Sequence, residues 1–487
     1  MSNLSELLPS GGGQNVVEFT ADGAISSGQA VALQSNGTVK AISATGQPAE
    51  LGTAAEFTSA DVAKIVPVYD ANANKIVIAY KDEAVTYGKA VVGTVSDVGI
   101  SFGTPVTFET GNADGKAIVY DTAQQKVVIL YQDRGNSGYG TAIVGTVSGT
   151  SISFGTAVVF ESANSGHIGA AYDANAGKVV VSYIDYGNSS YGSSIVGTVS
   201  GTSISFGSPV VFESATVSYT NTVYVADEQK IYIAYRDGGN SGYGTGIVGT
   251  VSGTSISFGS ATVLNTSSTN YLHSTYGGGS NVVTLYQDGG NSDYATAVVG
   301  TISGTSVSFG TEVVINTSGG AQGLGAAYNS DSGKVLLTYR IALTSKGLAN
   351  VGTISGTSIS FGSDIEFLNA YPDGGAEQGS NVTYDTTAKR FVIGFSANGT
   401  GSGKAIVYNS GGSNSGDFIG LASAAISDTA TGDINVKGGI NEAQTGLTIG
   451  SDYYVQSDGT VSTTSTSPAV KIGQAITATT INMMDLT

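Results

Sequence analysis

Four copies of one phrase carry the residues best suited to chemistry. Asp133, Asn136 and Tyr139 stand in "DRGNSGYG", Asp185, Asn188 and Tyr191 in "DYGNSSYG", Asp237, Asn240 and Tyr243 in "DGGNSGYG", and Asp288, Asn291 and Tyr294 in "DGGNSDYA". Carboxylate, amide and hydroxyl oxygens so close together are hard ligands of the kind Ca²⁺ takes, and a neighbouring tyrosine offers a face on which a pyranose can stack. The same atoms have an ordinary use. Asp and Asn close their own turns by accepting backbone N–H groups, and Tyr covers a strand edge. These twelve residues form the candidate ligand-binding set; they require no cofactor, and Ca²⁺ is a compatible addition without further support.

Catalytic constellations are not marked out. The two histidines, His167 and His273, each stand just before a strand in different repeats, and neither has a serine and a carboxylate placed beside it as a nucleophilic triad needs. Both read as loop or strand-edge residues. There is no HExxH, Walker or EF-hand pattern, and with no cysteine neither a disulfide nor a thiolate metal site can form. Arg134, Arg236, Arg340 and Arg390 fall at different places in the repeat, so no arginine cluster is set up to grip a carboxylate. No enzyme is expected. The formal charge of −18, from 19 Lys and Arg against 37 Asp and Glu, repels phosphate backbones and excludes nucleic acid as a partner. No apolar run approaches membrane-spanning length, and the opening "MSNLSELLPSGGGQNVVEF" has neither a basic n-region nor an apolar h-region, so export by an ordinary signal peptide is not expected.

What positions the phrase is a repeat. Phe102, Phe154, Phe206, Phe258, Phe309 and Phe361 are separated by 52, 52, 52, 51 and 52 residues, and a tyrosine marker at 69, 120, 172, 224, 276, 328 and 384 defines seven units. Within a unit, 167–174, 178–185, 193–201 and 203–214 read as strands rich in Val, Ile, Tyr and Phe, with turn residues between them and no helical period. Seven units of four short strands predict an all-β fold, a seven-bladed β-propeller whose blades bury one another's faces. "LGTAAEFTSA" (51–60) matches the fourth-strand pattern "FGTAVVFESA", while the last unit stops after its third strand, so residues 51–58 are expected beside 403–408, closing blade seven. The "DxGNSxYG" turns and the blade-to-blade connections share one face, which also carries the insertion "YPDGGAEQG" (371–379); recognition is expected there.

The flanks resemble each other. "VALQSNGTV" (31–39) is similar to "YYVQSDGTV" (453–461), each with a two-residue hairpin signal, Asn36-Gly37 or Asp458-Gly459, and "PAELGTA" (48–54) is similar to "PAVKIGQA" (468–475). Residues 1–48 with 410–487 are expected to form one split β domain into which the propeller, 49–409, is inserted, with "SGGSNSG" (410–416) as its exit hinge. Residues 48–58 are claimed by both readings.

Two resemblances bear on function. "DxGNSxYG" resembles the Asp-box of sialidase-like propellers, where the box is structural. "LSELLPSGGGQN" (4–15), "GQAVALQSNGTV" (28–39) and the pattern "FIGLASAAI…GLTIGSDYYVQSDGTV…VKIGQAI" (418–476) resemble anchoring modules of virion proteins from tailed bacteriophages, particularly marine and cyanobacterial phages. That resemblance implies a structural protein on the virion surface, released by lysis: a capsid decoration or tail or head fibre adhesin that docks on other virion proteins and presents the propeller to host polysaccharide. Homo-oligomerisation is compatible with it. A sialidase-like glycan-active enzyme and a secreted bacterial lectin are the alternatives.

Overall fold

A computed structural model of the chain describes residues 15–34, 37–43, 47–369, 380–397, 401–412, 417–465 and 470–483. It divides into two compact units, residues 51–409 and residues 1–50 with 410–487. The 371–379 insertion and most of the 410–416 hinge lie outside the described residues.

Residues 51–409 are antiparallel sheets of a propeller. Their innermost strands, at 62–70, 113–121, 165–173, 217–225, 269–278, 321–329 and 381–385, number blades 1 to 7 among the described residues. Each lies beside the next, and the last lies beside the first. Seven hydrophobic clusters sit between successive blades, such as Val128, Leu130 and Val144 of blade 2 against Val179, Val181 and Ile195 of blade 3. A single blade has two apolar faces, because its strands alternate apolar side chains on both sides; only stacking with two neighbours removes both from water.

The marker tyrosines fasten neighbouring blades. Tyr69 donates to Thr387 Oγ1 at 2.6 Å, Tyr384 donates to Asp331 Oδ2 at 2.6 Å, and Tyr120 and Tyr172 accept from the N–H groups of Asn72 and Ala123 in the preceding blade.

The fourth strand differs from the expectation. It is two pieces, in blade 3 Ser203–Phe206 and the start of Val210–Val225, both paired to Tyr191–Ser200. The second piece does not end in a loop: Val158–Asp173, Val210–Val225 and Thr262–Gly278 each run without interruption into the next blade's first strand. The break falls at the glycine of "SFG". A Cβ on Gly155 or Gly207 would lie 1.9 or 2.0 Å from the carbonyl oxygen of Thr202 or Thr254, in the next blade's "SGT" turn. The phrase repeats because each glycine admits the neighbouring wedge.

Blade 7 is closed by the amino-terminal side of the unit. Ala55–Asp61 pairs antiparallel with Ser402–Ala405, and Gly52 N donates to Val407 O at 2.9 Å. Phe57 fills the seam, its ring 5.1 Å from Tyr80 and 5.5 Å from Phe102. Residues 51–58 therefore belong to the propeller.

The other unit contains two five-stranded sheets with one topology. The first takes Val16–Thr20, Thr431–Val436, Phe418–Ala422, Ala30–Leu33 and Val39–Ala41 in spatial order; the second takes Ile440–Asn441, Ile481–Asn482, Val470–Ala475, Asp452–Val455 and Val461–Ser462. Registers coincide. Ala30↔Leu421 and Val31↔Gly420 in the first match Asp452↔Gln474 and Tyr453↔Gly473 in the second, each followed by a bulge at the same step. Even the turns agree: Gln34 N donates to Thr38 O, and Gln456 N to Thr460 O. The 457–459 loop has three residues with a left-handed glycine, Gly459 at φ 84°, so the two-residue hairpin expected from Asp458-Gly459 is corrected; Gly37 has the matching φ of 85°, and Asn36 lies outside the described residues. Tyr453, Val455 and Ile472 of one sheet share a core with Ala30, Ala32 and Leu421 of the other. The unit is a tandem duplicate, and the propeller occupies, in the first copy, the connection that residues 463–469 make in the second.

Candidate ligand-binding site

The four "DxGNSxYG" phrases form closed turns on four successive blades. Asp133, Asp185 and Asp237 each accept the backbone N–H of Asn136, Asn188 and Asn240 at 3.0 to 3.1 Å, and Asp288 accepts that of Gly290 at 3.0 Å. The four asparagine side chains are exposed, and Tyr139, Tyr191, Tyr243 and Tyr294 lie half-buried at the start of their blades' third strands. The structure does not bring these twelve residues together; each trio stays in its own blade. The aspartates serve as caps. Among the described residues no group of three His, Asp or Glu is placed to hold a metal.

A different set converges. In blades 1 to 6 the innermost strand carries one extra residue, a β-bulge, between Ala63 and Val66, Asp114 and Ala117, Gly166 and Gly169, Ser218 and Asn221, Asn270 and His273, and Gln322 and Gly325. The first inserted residue has positive φ: Lys64 (53°), Gly115 (44°), His167 (44°), Tyr219 (53°), Tyr271 (52°) and Gly323 (57°). Opposite each bulge sits a fully buried tyrosine of the second strand, Tyr80, Tyr131, Tyr183, Tyr235, Tyr286 or Tyr339. The hydroxyls of Tyr131, Tyr183 and Tyr235 donate to Glu109, Glu161 and Glu213, and burial followed by the carboxylate pushes them well above the ordinary phenol range.

Left-handed backbone at a bulky residue stores about 1–3 kcal/mol. Four non-glycine residues hold it around one axis. They line a cavity of about 380 Å³ walled by residues from all seven blades. The rings make a ladder: His167 to Tyr219 at 4.9 Å and Tyr219 to Tyr271 at 5.2 Å, tilted or edge-on. Asn221, Thr220 and Ser274 brace it, with Asn221 Oδ1 accepting from Ser274 N at 3.0 Å and Thr220 Oγ1 donating to the His167 carbonyl. The two histidines, expected as loop or strand-edge residues, instead lie within the long strands Val158–Asp173 and Thr262–Gly278, where the bulge turns the chain at the axis, and stand in the wall of the same cavity. His273 has Nδ1 buried with no hydrogen-bond partner, and burial lowers its pKa to about 4.

One corner is cationic. Lys64 Nζ lies 3.9 Å from Asp114 Oδ1, Arg134 Nε lies 3.0 Å from Asp114 Oδ2, and Lys81 lies 3.3 Å from Glu83. Burial alone would raise Asp114, but Lys64 and Arg134 hold its carboxyl below the usual range. Lys116, 8% exposed, donates to Ala113 O at 3.0 Å, and burial brings its ammonium down to about 7 against the pull of Asp114. Arg134 ties this corner to the "DxGNSxYG" turn of blade 2, so cavity and turns lie at the same end of the blades.

The axial set was not singled out from the sequence, though a signal exists. Each bulge residue stands five positions before its marker tyrosine, a fixed offset at which the six blades read Lys, Gly, His, Tyr, Tyr, Gly.

No family model matches the chain, and no curated protein matches it in sequence. Among solved structures it is similar to the BP39L lectin from Burkholderia pseudomallei, with a TM-score of 0.53 at 10% identity over 73% of this chain and 99% of that one. The periplasmic gluconolactonase PpgL of Pseudomonas aeruginosa gives 0.43 at 12% identity over 77% and 99%. The NanB sialidase of Streptococcus pneumoniae gives 0.41 at 12% identity over 77% and 71%. At such identities the likeness is one of fold: the chain carries an all-β propeller.

Proposed function

We propose that this chain is a glycan-binding protein, with the axial cavity of its propeller as the ligand site. The observation that carries the reading is the ladder of His167, Tyr219 and Tyr271, held in strained backbone around a polar cavity. Aromatic faces with a few placed amides and hydroxyls are what a sugar ring and its hydroxyl groups require. The propeller lectin among the structural neighbours has the same fold and supports this reading. Glycosidic cleavage needs a pair of carboxyl groups at the bond, and the described residues lining the cavity include no Asp or Glu. Binding without turnover is therefore the reading, in preference to the sialidase-like alternative.

A glycan array probed with the full chain tests it. Tyr271→Gly is expected to fold, because Gly115 and Gly323 fill the same bulge position in blades 2 and 6, and to lose about tenfold or more in affinity, the equivalent of one aromatic contact of ~1.4 kcal/mol. An array without any binding, or full binding by the variant, overturns the assignment.

The duplicated terminal unit is, in the same proposal, the mount of the propeller on a virion. The likeness of its residues to phage anchoring modules supports this, and antibody labelling of particles tests it. Absence of label from purified virions removes the virion reading and leaves the glycan site standing.

A further inference from the structure

We infer that the cavity takes an acidic saccharide, its anionic group seated between Lys64 and Lys116 and its ring against His167, Tyr219 and Tyr271. The inference rests on the glycan-binding reading and names the class of ligand.

Charge distribution points to it first. The chain has almost twice as many acidic as basic residues, yet Lys64, Lys81, Lys116 and Arg134 gather at one corner, where Asp114 and Glu83 are the carboxylates that face Lys116 among the described residues. Asp114 is divided between Lys64 and Arg134. An anion placed there meets a net positive field inside an acidic molecule, where little else in the chain would attract it.

The repeat supplies the second argument. The position four residues before each marker tyrosine reads Ile65, Lys116, Ile168, Thr220, Leu272 and Leu324 in blades 1 to 6. In four of the six this slot is filled by Ile or Leu, so the scaffold asks for an apolar side chain. Blade 2 instead buries an ammonium whose hydrogen bond goes to a backbone carbonyl, which is a destabilising choice unless the charge has a use. Burial depresses Lys116 to about 7, and an anionic group beside it would restore the charged form. Volume limits the occupant: about 380 Å³ suits one or two sugar rings and excludes a nucleic-acid duplex.

The test compares three probes on the full chain by calorimetry: digalacturonate, its methyl ester, which has the same shape without charge, and a sulfated galactose dimer. Stronger binding of a charged probe than of the ester, by about 10- to 100-fold, is expected for a charge-assisted hydrogen bond, and the preferred probe identifies carboxylate or sulfate as the source. Lys116→Met is expected to remove that preference, so that the charged probe binds no better than the ester, and Lys64→Gln to reduce it. Affinity for the charged probe is expected to fall by up to about tenfold per pH unit above about 7 as Lys116 loses its proton, a dependence that a packing role for Lys116 would not produce. Equal binding of ester and acid, unaltered in Lys116→Met, overturns the acidic-ligand inference and leaves the glycan site intact. Failure of all three probes together with a blank glycan array overturns both.

Discussion

At the scale of single residues, Lys116 departs furthest from what its type requires. Its ordinary pKa is 10.5 and its folded value about 7, lowered by burial with Asp114 opposing and Lys81 and Lys64 adding to the decrease. Between those two values the unfolded chain holds a proton that the folded chain lacks. The contribution of Lys116 to stability therefore falls as pH drops from about 10.5 to about 7, at up to ~1.4 kcal/mol per unit, and is level below 7. Lys116→Met is expected to be more stable than the parent, with the largest margin at pH 6 and a shrinking one at pH 8 and 10; denaturant midpoints at the three values measure it. His273 has the same sign in another window. Its depressed value of about 4 means that stability from keeping it neutral is present above its ordinary value near 6.5 and is lost as pH falls from there. Neither environment is visible from neighbouring letters, because both result from seven distant segments meeting at one axis. The "DxGNSxYG" trios could be picked out in the sequence because turn chemistry is local. That same locality explains why their aspartates are occupied by backbone N–H groups within their own turns.

At the scale of elements, the bulged inner strand is the device that turns a repeat into a site. The extra residue aims a side chain at the axis without disturbing the strand beyond it, and the opposing buried tyrosine holds the pleat on the second strand. Strand content, order and the turn positions follow from alternating apolar residues and Gly, Asn and Asp between them. Two element-level features do not. The division of the fourth strand at Gly155 and Gly207 arises from the approach of the next blade's turn, and the continuity of Val158–Asp173 through "SANSGH" arises from pairing with two different blades in succession. The seam makes the sharpest test at this scale. Phe57 is 6% exposed and lies against Gly403 of blade 7, where a Cβ would come within 2.3 Å of its ring. Phe57→Ala is expected to destabilise the propeller by about 3–5 kcal/mol, and limited proteolysis should cut first in residues 51–61. Melting unchanged from the parent would show that the seam does not hold the ring closed.

At the scale of the whole molecule, the duplicated terminal unit sets the insertion rule. Its second copy, 437–483, completes the same five-stranded pattern with a short connection where the first copy receives residues 51–409. Replacing 44–416 by the sequence of 463–469 is expected to leave a two-sheet domain that melts cooperatively, and 51–409 is expected to fold separately, each checked by circular dichroism. Collapse of the shortened chain would mean that the two copies depend on the propeller for their pairing. Periodicity by itself determined the β class, the repeat, the closing strand and the kinship of the two flanks, because each depends on residues within one repeat length or on patterns that recur along the chain. Only the tertiary structure decided where a ligand could sit: the axis is lined by short segments of seven blades that lie far apart in the chain, so its chemistry exists only after the ring has brought them together.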